Sequence, residues 1–168
     1  MNAVRHGLHA RTVILRGETQ ADFDEILNGL QDEYQPQSNS EQDLVNQAQS
    51  VMKSNGKNAG ALAAMIKGEK PYDQATVDAA LKQLEDTAKK LPTLFPASTK
   101  GLKPDGDYSA SSKIWEDKAG FDEHIASFGK AVAEAKAQIK DLDTLKATFP
   151  AVGKQCGGCH ETYRLKNG

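Results

Sequence analysis

Apolar side chains recur at three- and four-residue intervals along nearly the whole chain after residue 41, and that spacing constrains the fold more than any other feature. Strand-like alternation is absent, so the expected class is all-α. A first helix is expected from about Glu41 to Lys67, with Val45, Ala48, Met52, Ala59, Leu62 and Ile66 on one stripe and Gly68 stopping it. Asp73 is placed to cap a second helix carrying Val77, Leu81, Leu84, Ala88 and Leu91, which Pro92 closes. Residues 92–112 hold three of the six prolines, with Gly101 and Gly106, and form the long connection. The third helix sets Ile114, Phe121, Ile125, Phe128, Val132, Ala135 and Ile139 on one face, with one lapse at Lys118, whose head can snorkel to water. The fourth runs from about Asp143 through Leu145, Phe149, Val152, Cys156, Cys159 and Tyr163, and Pro150 should kink it or mark its true start. Four helices and three connections predict an antiparallel four-helix bundle.

Residues 1–40 read differently. They carry three arginines against six acids, whereas residues 41–168 carry 18 basic and 17 acidic side chains. Arg16-Gly17-Glu18-Thr19 reads as a turn into a short amphipathic helix with Phe23, Ile26, Leu27 and Leu30, and residues 35–40 as a polar linker. The expected organisation is therefore an N-terminal extension over 1–40, unrelated to the rest of the chain, and a bundle domain over 41–168. The formal net charge of −2 offers no basic field for nucleic acid. The longest apolar run near the N-terminus is Val13-Ile14-Leu15, so neither a membrane span nor a secretory signal is expected there.

The chemistry-bearing motif is Cys156-Gly157-Gly158-Cys159-His160. On a helix these two thiols and the imidazole share one face, because positions three and four apart are neighbours. That geometry suits covalent haem attachment: two thiols add to two vinyl groups on one porphyrin edge, and the adjacent imidazole turns beneath the ring to bind iron. Gly157 and Gly158 are expected to leave room where the macrocycle approaches the backbone. The cysteines also lie on the apolar stripe of the fourth helix, which would place the cofactor in the bundle core. A redox dithiol would instead open a helix after a strand, and a structural zinc site would want four ligands. His6 and His9 lie across the linker and are expected to be a solvated pair.

A motif of this kind on the last helix of a four-helix bundle resembles the class II cytochromes c, the cytochrome c′ superfamily. The stretches Lys67-Gly68-Glu69-Lys70-Pro71-Tyr72, Lys90-Leu91-Pro92-Thr93-Leu94-Phe95-Pro96, Lys113-Ile114-Trp115-Glu116 and His160-Glu161-Thr162-Tyr163-Arg164 are similar to that family, from about Gln42 onward. The segment Asp43-Leu44-Val45-Asn46-Gln47-Ala48-Gln49-Ser50-Val51-Met52-Lys53 looks like the low-spin cytochrome c-556 group, with Met52 at the distal ligand position.

The resemblance implies one haem c, attached through Cys156 and Cys159, with His160 as the proximal and Met52 as the distal iron ligand. It implies a one-electron carrier rather than an enzyme, working in the periplasm with redox partner proteins, and a possible homodimer through the first two helices. Two other readings stay open. A high-spin cytochrome c′ would bind nitric oxide or carbon monoxide, Met52 then being core filling. A chain that never reached the compartment of haem attachment would be a haem-free helical interaction module. Met65, roughly 220° around the helix from Met52, is a poor alternative ligand. Arg164 either pairs with a haem propionate, as its family position implies, or remains a solvated charge at a helix end. Trp115 and Phe121 are expected in the core near the haem, His124 at its rim, and Asn55 where it can hydrogen-bond within the pocket.

Overall fold

The computed structural model describes residues 37–167. The expected short helix around Phe23–Leu30, and the His6–His9 pair, lie outside the described residues. Among the described residues there are five α-helices and one small strand pair: α1 (Gln37–Ile66), α2 (Gln74–Lys90), β1 (Tyr108–Ala110), α3 (Lys113–Glu116), α4 (Lys118–Gln138), α5 (Leu142–Tyr163) and β2 (Arg164–Lys166). The long helices close an antiparallel four-helix bundle in which α1 packs on α2, α2 on α4, α4 on α5 and α5 on α1.

Local chemistry explains most boundaries. Gly68, with φ of 77°, ends α1: its N–H donates to the Met65 carbonyl at 3.1 Å, and Glu69 N–H donates to the Ala64 carbonyl at 2.9 Å. Only glycine adopts that left-handed turn cheaply. The Asp73 carboxylate caps α2 by accepting from Thr76 N–H at 2.8 Å. Asp141 and Thr144 form a reciprocal capping box at the start of α5, with each side chain accepting from the other's backbone N–H. The helix α1 starts four residues before the expected Glu41, taking in Gln37–Ser40, which in sequence has the character of a linker. Glutamine, serine and asparagine extend a helix at only a few tenths of a kcal/mol per residue, so a polar stretch can follow a strong stripe.

Two expectations need correction. The third helix is not continuous: Asp117 leaves helical geometry (φ −125°, ψ 61°), separating α3 from α4. Its carboxylate caps α4 by accepting from Gly120 N–H at 3.1 Å and accepts from the Tyr163 hydroxyl at 2.9 Å. Lys118, the lapse in the stripe, is exposed and paired with Asp122. The absence of strands is also wrong, since β1 and β2 pair antiparallel, with Ser109 opposite Leu165. Three-residue strands are too short to show alternation in sequence.

Helix α5 runs unbroken through Pro150. Proline removes the bond that would reach the Lys146 carbonyl. Both residues are exposed, so water can meet that carbonyl.

Gly120 is required by packing. A Cβ there would lie 2.7 Å from the Tyr163 hydroxyl and closer still to the Asp117 carboxylate. Replacing Gly120 with alanine is expected to lower stability by about 1–3 kcal/mol, the usual cost of overpacking. Chemical denaturation of the two proteins checks this, with an unchanged midpoint as the contrary result.

The core falls into two clusters. One gathers Leu62, Met65, Val77, Leu81, Leu84, Phe128, Val132, Ile139, Leu145, Phe149 and Val152. The other gathers Ala48, Leu91, Leu94, Ile114, Phe121, Ile125 and Tyr163. No helix among the described residues is long and apolar enough to cross a membrane.

Candidate haem site

Where the two clusters meet lies a cavity of about 630 Å³, within the range of cofactor sites. Its walls are mostly apolar and include Leu84, Phe128, Phe149 and Val152 from one cluster and Leu91, Ile114, Phe121 and Ile125 from the other. Such a void is foreign to a close-packed interior, and in a bundle it marks the seat of a large apolar group.

The expected site residues converge on it. Cys156, Cys159 and His160 line it from α5, Met52 lines it from α1, and Arg164 lines it just beyond the end of α5. Cys156 packs against one core cluster and Cys159 against the other, so the motif straddles the junction. Met65 belongs to the first cluster and is absent from the cavity wall, in keeping with its angular distance from Met52.

The environment of the three motif side chains fits a haem. Burial pushes both thiols above their ordinary range, and for Cys159 the neighbouring Cys156 adds to the effect. A redox dithiol needs the opposite, a thiolate favoured at a helix N-terminus. Here the cysteines sit in the last two turns of α5, where the helix dipole opposes negative charge. Burial, then the nearby Arg164 guanidinium, pushes the His160 imidazole down. It is therefore neutral at pH ~7, the form that can donate a lone pair to a metal.

One expectation about the motif fails. Gly157 and Gly158 do not line the cavity: a Cβ on Gly157 would meet open space, and one on Gly158 would touch His124 Cε1 at 3.7 Å. The helical period that gathers positions 156, 159 and 160 turns positions 157 and 158 away.

The other expected residues surround the same space. His124 is half-buried on the wall, its ring 5.5 Å from that of Tyr163 in an edge-on contact. Trp115 is half-buried on the wall, and its indole N–H is directed at the carbonyls of Phe95 and Pro96 at 3.2 and 3.0 Å. Phe121 is buried between Phe95 and Tyr163. The Arg164 guanidinium lies 4.3 Å from the centre of the exposed Tyr108 ring. Asn55 lines the cavity, and its amide oxygen accepts from the Thr87 hydroxyl at 2.8 Å.

Sequence reasoning missed the polar tethers at the cavity mouth. The side-chain amide nitrogens of Gln42 and Gln49 donate to the carbonyls of Lys103 and Asp105, tying the long connection to α1. The Asn167 amide donates to the Gly106 carbonyl, and the Ser109 hydroxyl donates to Asn167. Side chain to backbone bonds of this range leave no periodic trace in sequence.

Burial, reinforced by the bond to Asp117, pushes the Tyr163 phenol up to about 12. In the unfolded chain it ionises near 10. Below pH ~10 both states are neutral; between pH ~10 and about 12 only the unfolded state loses its proton, so stability falls as pH rises through that window. Replacing Tyr163 with phenylalanine should shallow this slope. Urea denaturation at pH ~9 and pH ~11 measures it, and equal slopes in the two proteins would contradict the assignment.

Comparison with known proteins supplies the family. The family model described as Cytochrome C′ matches residues 43–164. A cytochrome c-556 of Rhodopseudomonas palustris is 60% identical over 130 residues, covering 77% of this chain and 87% of that protein. A cytochrome c′ of the same organism is 42% identical over 124 residues, covering 74% and 83%. Among solved structures, oxidised cytochrome c556 of R. palustris superposes with a TM-score of 0.67 at 60% identity, covering 76% of this chain and 99% of that one. Cytochrome c′ of R. palustris superposes with a TM-score of 0.69 at 40% identity, covering 75% and 98%. The family's cofactor is a covalent haem c, and the chain has two cysteines beside a cavity suited to it. The chain therefore belongs to the cytochrome c′ family and is a monohaem c-type cytochrome.

Proposed function

We propose that the chain is a low-spin, one-electron carrier of the periplasm whose haem is held by thioethers at Cys156 and Cys159 and whose iron is ligated by His160 and Met52. The observation that carries this reading is that Met52 and His160 line one apolar cavity from different helices. The 60% identity to a cytochrome c-556 gives it further support.

The haem supplies the redox chemistry, an iron that gains or loses one electron. The protein's residues set the conditions. Cys156 and Cys159 fix the ring to α5, and His160, neutral in its buried place, supplies a nitrogen lone pair. Met52 would supply a soft thioether to the iron, which would raise the potential and leave no position for other ligands. Leu84, Phe121, Ile125, Phe128 and Phe149 exclude water, which also favours the less charged, reduced state. Arg164, at the rim, is placed to pair with a propionate. Redox partner proteins would exchange electrons with this haem, and a homodimer through α1 and α2 is compatible with the role.

A second reading has one specific observation in its favour. A nitric oxide complex of a variant cytochrome c prime from Alcaligenes xylosoxidans superposes with a TM-score of 0.65 at 31% identity. A gas-binding role would leave Met52 as packing. The optical spectrum of the reduced protein with and without carbon monoxide separates the two. A low-spin spectrum unchanged by the gas is expected, and prompt formation of an adduct would replace the carrier reading with the gas-binding one.

A further inference from the structure

The cavity wall is mostly apolar, and several of the polar side chains on it have their donors committed. The Gln49 amide nitrogen is engaged with the Asp105 carbonyl, the Thr99 hydroxyl with Pro96, and the Ser109 hydroxyl with Asn167. The Trp115 indole N–H goes to Phe95 and Pro96, and the Tyr163 hydroxyl to Asp117. Asn55 differs. Its amide oxygen lies 2.8 Å from the hydroxyl of Thr87, which is fully buried on α2 and is shared with the Gln83 carbonyl at 2.9 Å, while its amide nitrogen has no partner among the described residues. It stands three positions after Met52 on α1, and both line the cavity. Residues three apart on a helix share a face.

We propose that Asn55, in contact with Thr87, is a hydrogen-bond donor of the distal pocket and stabilises a diatomic ligand on the iron once Met52 is out of the way. The proposal rests on the Met52 reading for where the distal side lies. Its logic is that of a preorganised donor. Thr87 engages one end of the planar amide, which leaves the –NH₂ end unpartnered on a residue of the cavity wall. In a mostly apolar cavity an N–H counts for more than it would in water. Asn55 acts here on the bound ligand itself, whereas Thr87 is a positioning residue acting through Asn55.

The test uses the haem-loaded protein carrying Met52→Ala, with carbon monoxide as probe and infrared spectroscopy as readout. A donated hydrogen bond draws electron density onto the ligand and lowers the C–O stretch. Adding Asn55→Leu should therefore move the stretch to higher wavenumber and speed carbon monoxide dissociation about three- to tenfold, the worth of one hydrogen bond. Adding Thr87→Val instead leaves the amide in place but unanchored. It should shift the band in the same direction, by less, and broaden it. An unchanged stretch with Asn55→Leu, or a move to lower wavenumber, overturns the proposal. Failure of the Met52 reading shows separately: the protein with Met52 intact would then take up carbon monoxide, and the effect of Asn55→Leu could be read there directly.

Discussion

Replacing Met52 with alanine is expected to convert a haem protein indifferent to carbon monoxide into one that binds it promptly. The argument is one of competition for a single coordination position. If the thioether occupies that position in ~99% of molecules, the gas meets a competent site in only ~1%, and its apparent affinity is reduced about 100-fold. Removing the sulfur lifts that handicap. On the proposed ligation the same change also takes away a soft thioether that favours reduced iron, so the potential should fall as well. Met52 is half-buried against the cluster of Ala48, Phe121 and Ile125, and truncating it enlarges a cavity that already exists rather than opening a new one. The fold should therefore survive. A reduced spectrum and gas affinity matching the unsubstituted protein would show Met52 to be packing alone.

The second large effect concerns Cys156 and Cys159 together. With both replaced by serine, no thioether can form, and haem staining of a denaturing gel should show no band. A band that keeps its stain would mean that the haem is held elsewhere. The consequence for stability is as severe. At ~24 cal/mol per Å³, leaving the space of about 630 Å³ unfilled would cost about 15 kcal/mol as an upper bound, since its mouth is open to water. Whole domains are stable by only ~5–15 kcal/mol. The doubly substituted protein should keep helical far-ultraviolet dichroism while losing cooperative unfolding, as expected of a bundle without the body of its core. A sharp, cooperative transition at the original temperature would contradict this account.

The bundle was legible because each long helix has one face toward the core, and one-sided burial leaves a periodic signal. Val77, Leu81 and Leu84 of α2 are all buried, as the spacing implied. The convergence of Cys156, Cys159 and His160 was equally readable, since it needs one turn of one helix. The interruption at Asp117 was not. Whether an aspartate continues a helix or caps a new one depended here on Tyr163, 46 residues away, whose hydroxyl donates to its carboxylate. The strand pair was illegible for a related reason: its partners are set by the end of α5, and neither three-residue segment has a pattern of its own. Gly157 and Gly158 mark the limit of arguing from residue size. Their smallness suggested closeness to the haem, while the helical phase turned them toward His124 and open space.

The pairing of β1 with β2 bears on the order in which this protein can be completed. Ser109 and Asn167 are 58 positions apart, and the Ser111 N–H also reaches back to the Tyr163 carbonyl at 2.9 Å. These closures span α3, α4 and α5, so they can form only after the last helix has docked. That helix also carries the cysteines, which leaves α1, α2 and α4 to emerge from synthesis as a shell without its filling. Contacts between elements so distant in sequence are the slow ones to form. The ribbon, with Arg164 over Tyr108, fixes the end of α5 to the connection that borders the cavity, so the two ends of this closure must both be in place for either to be held.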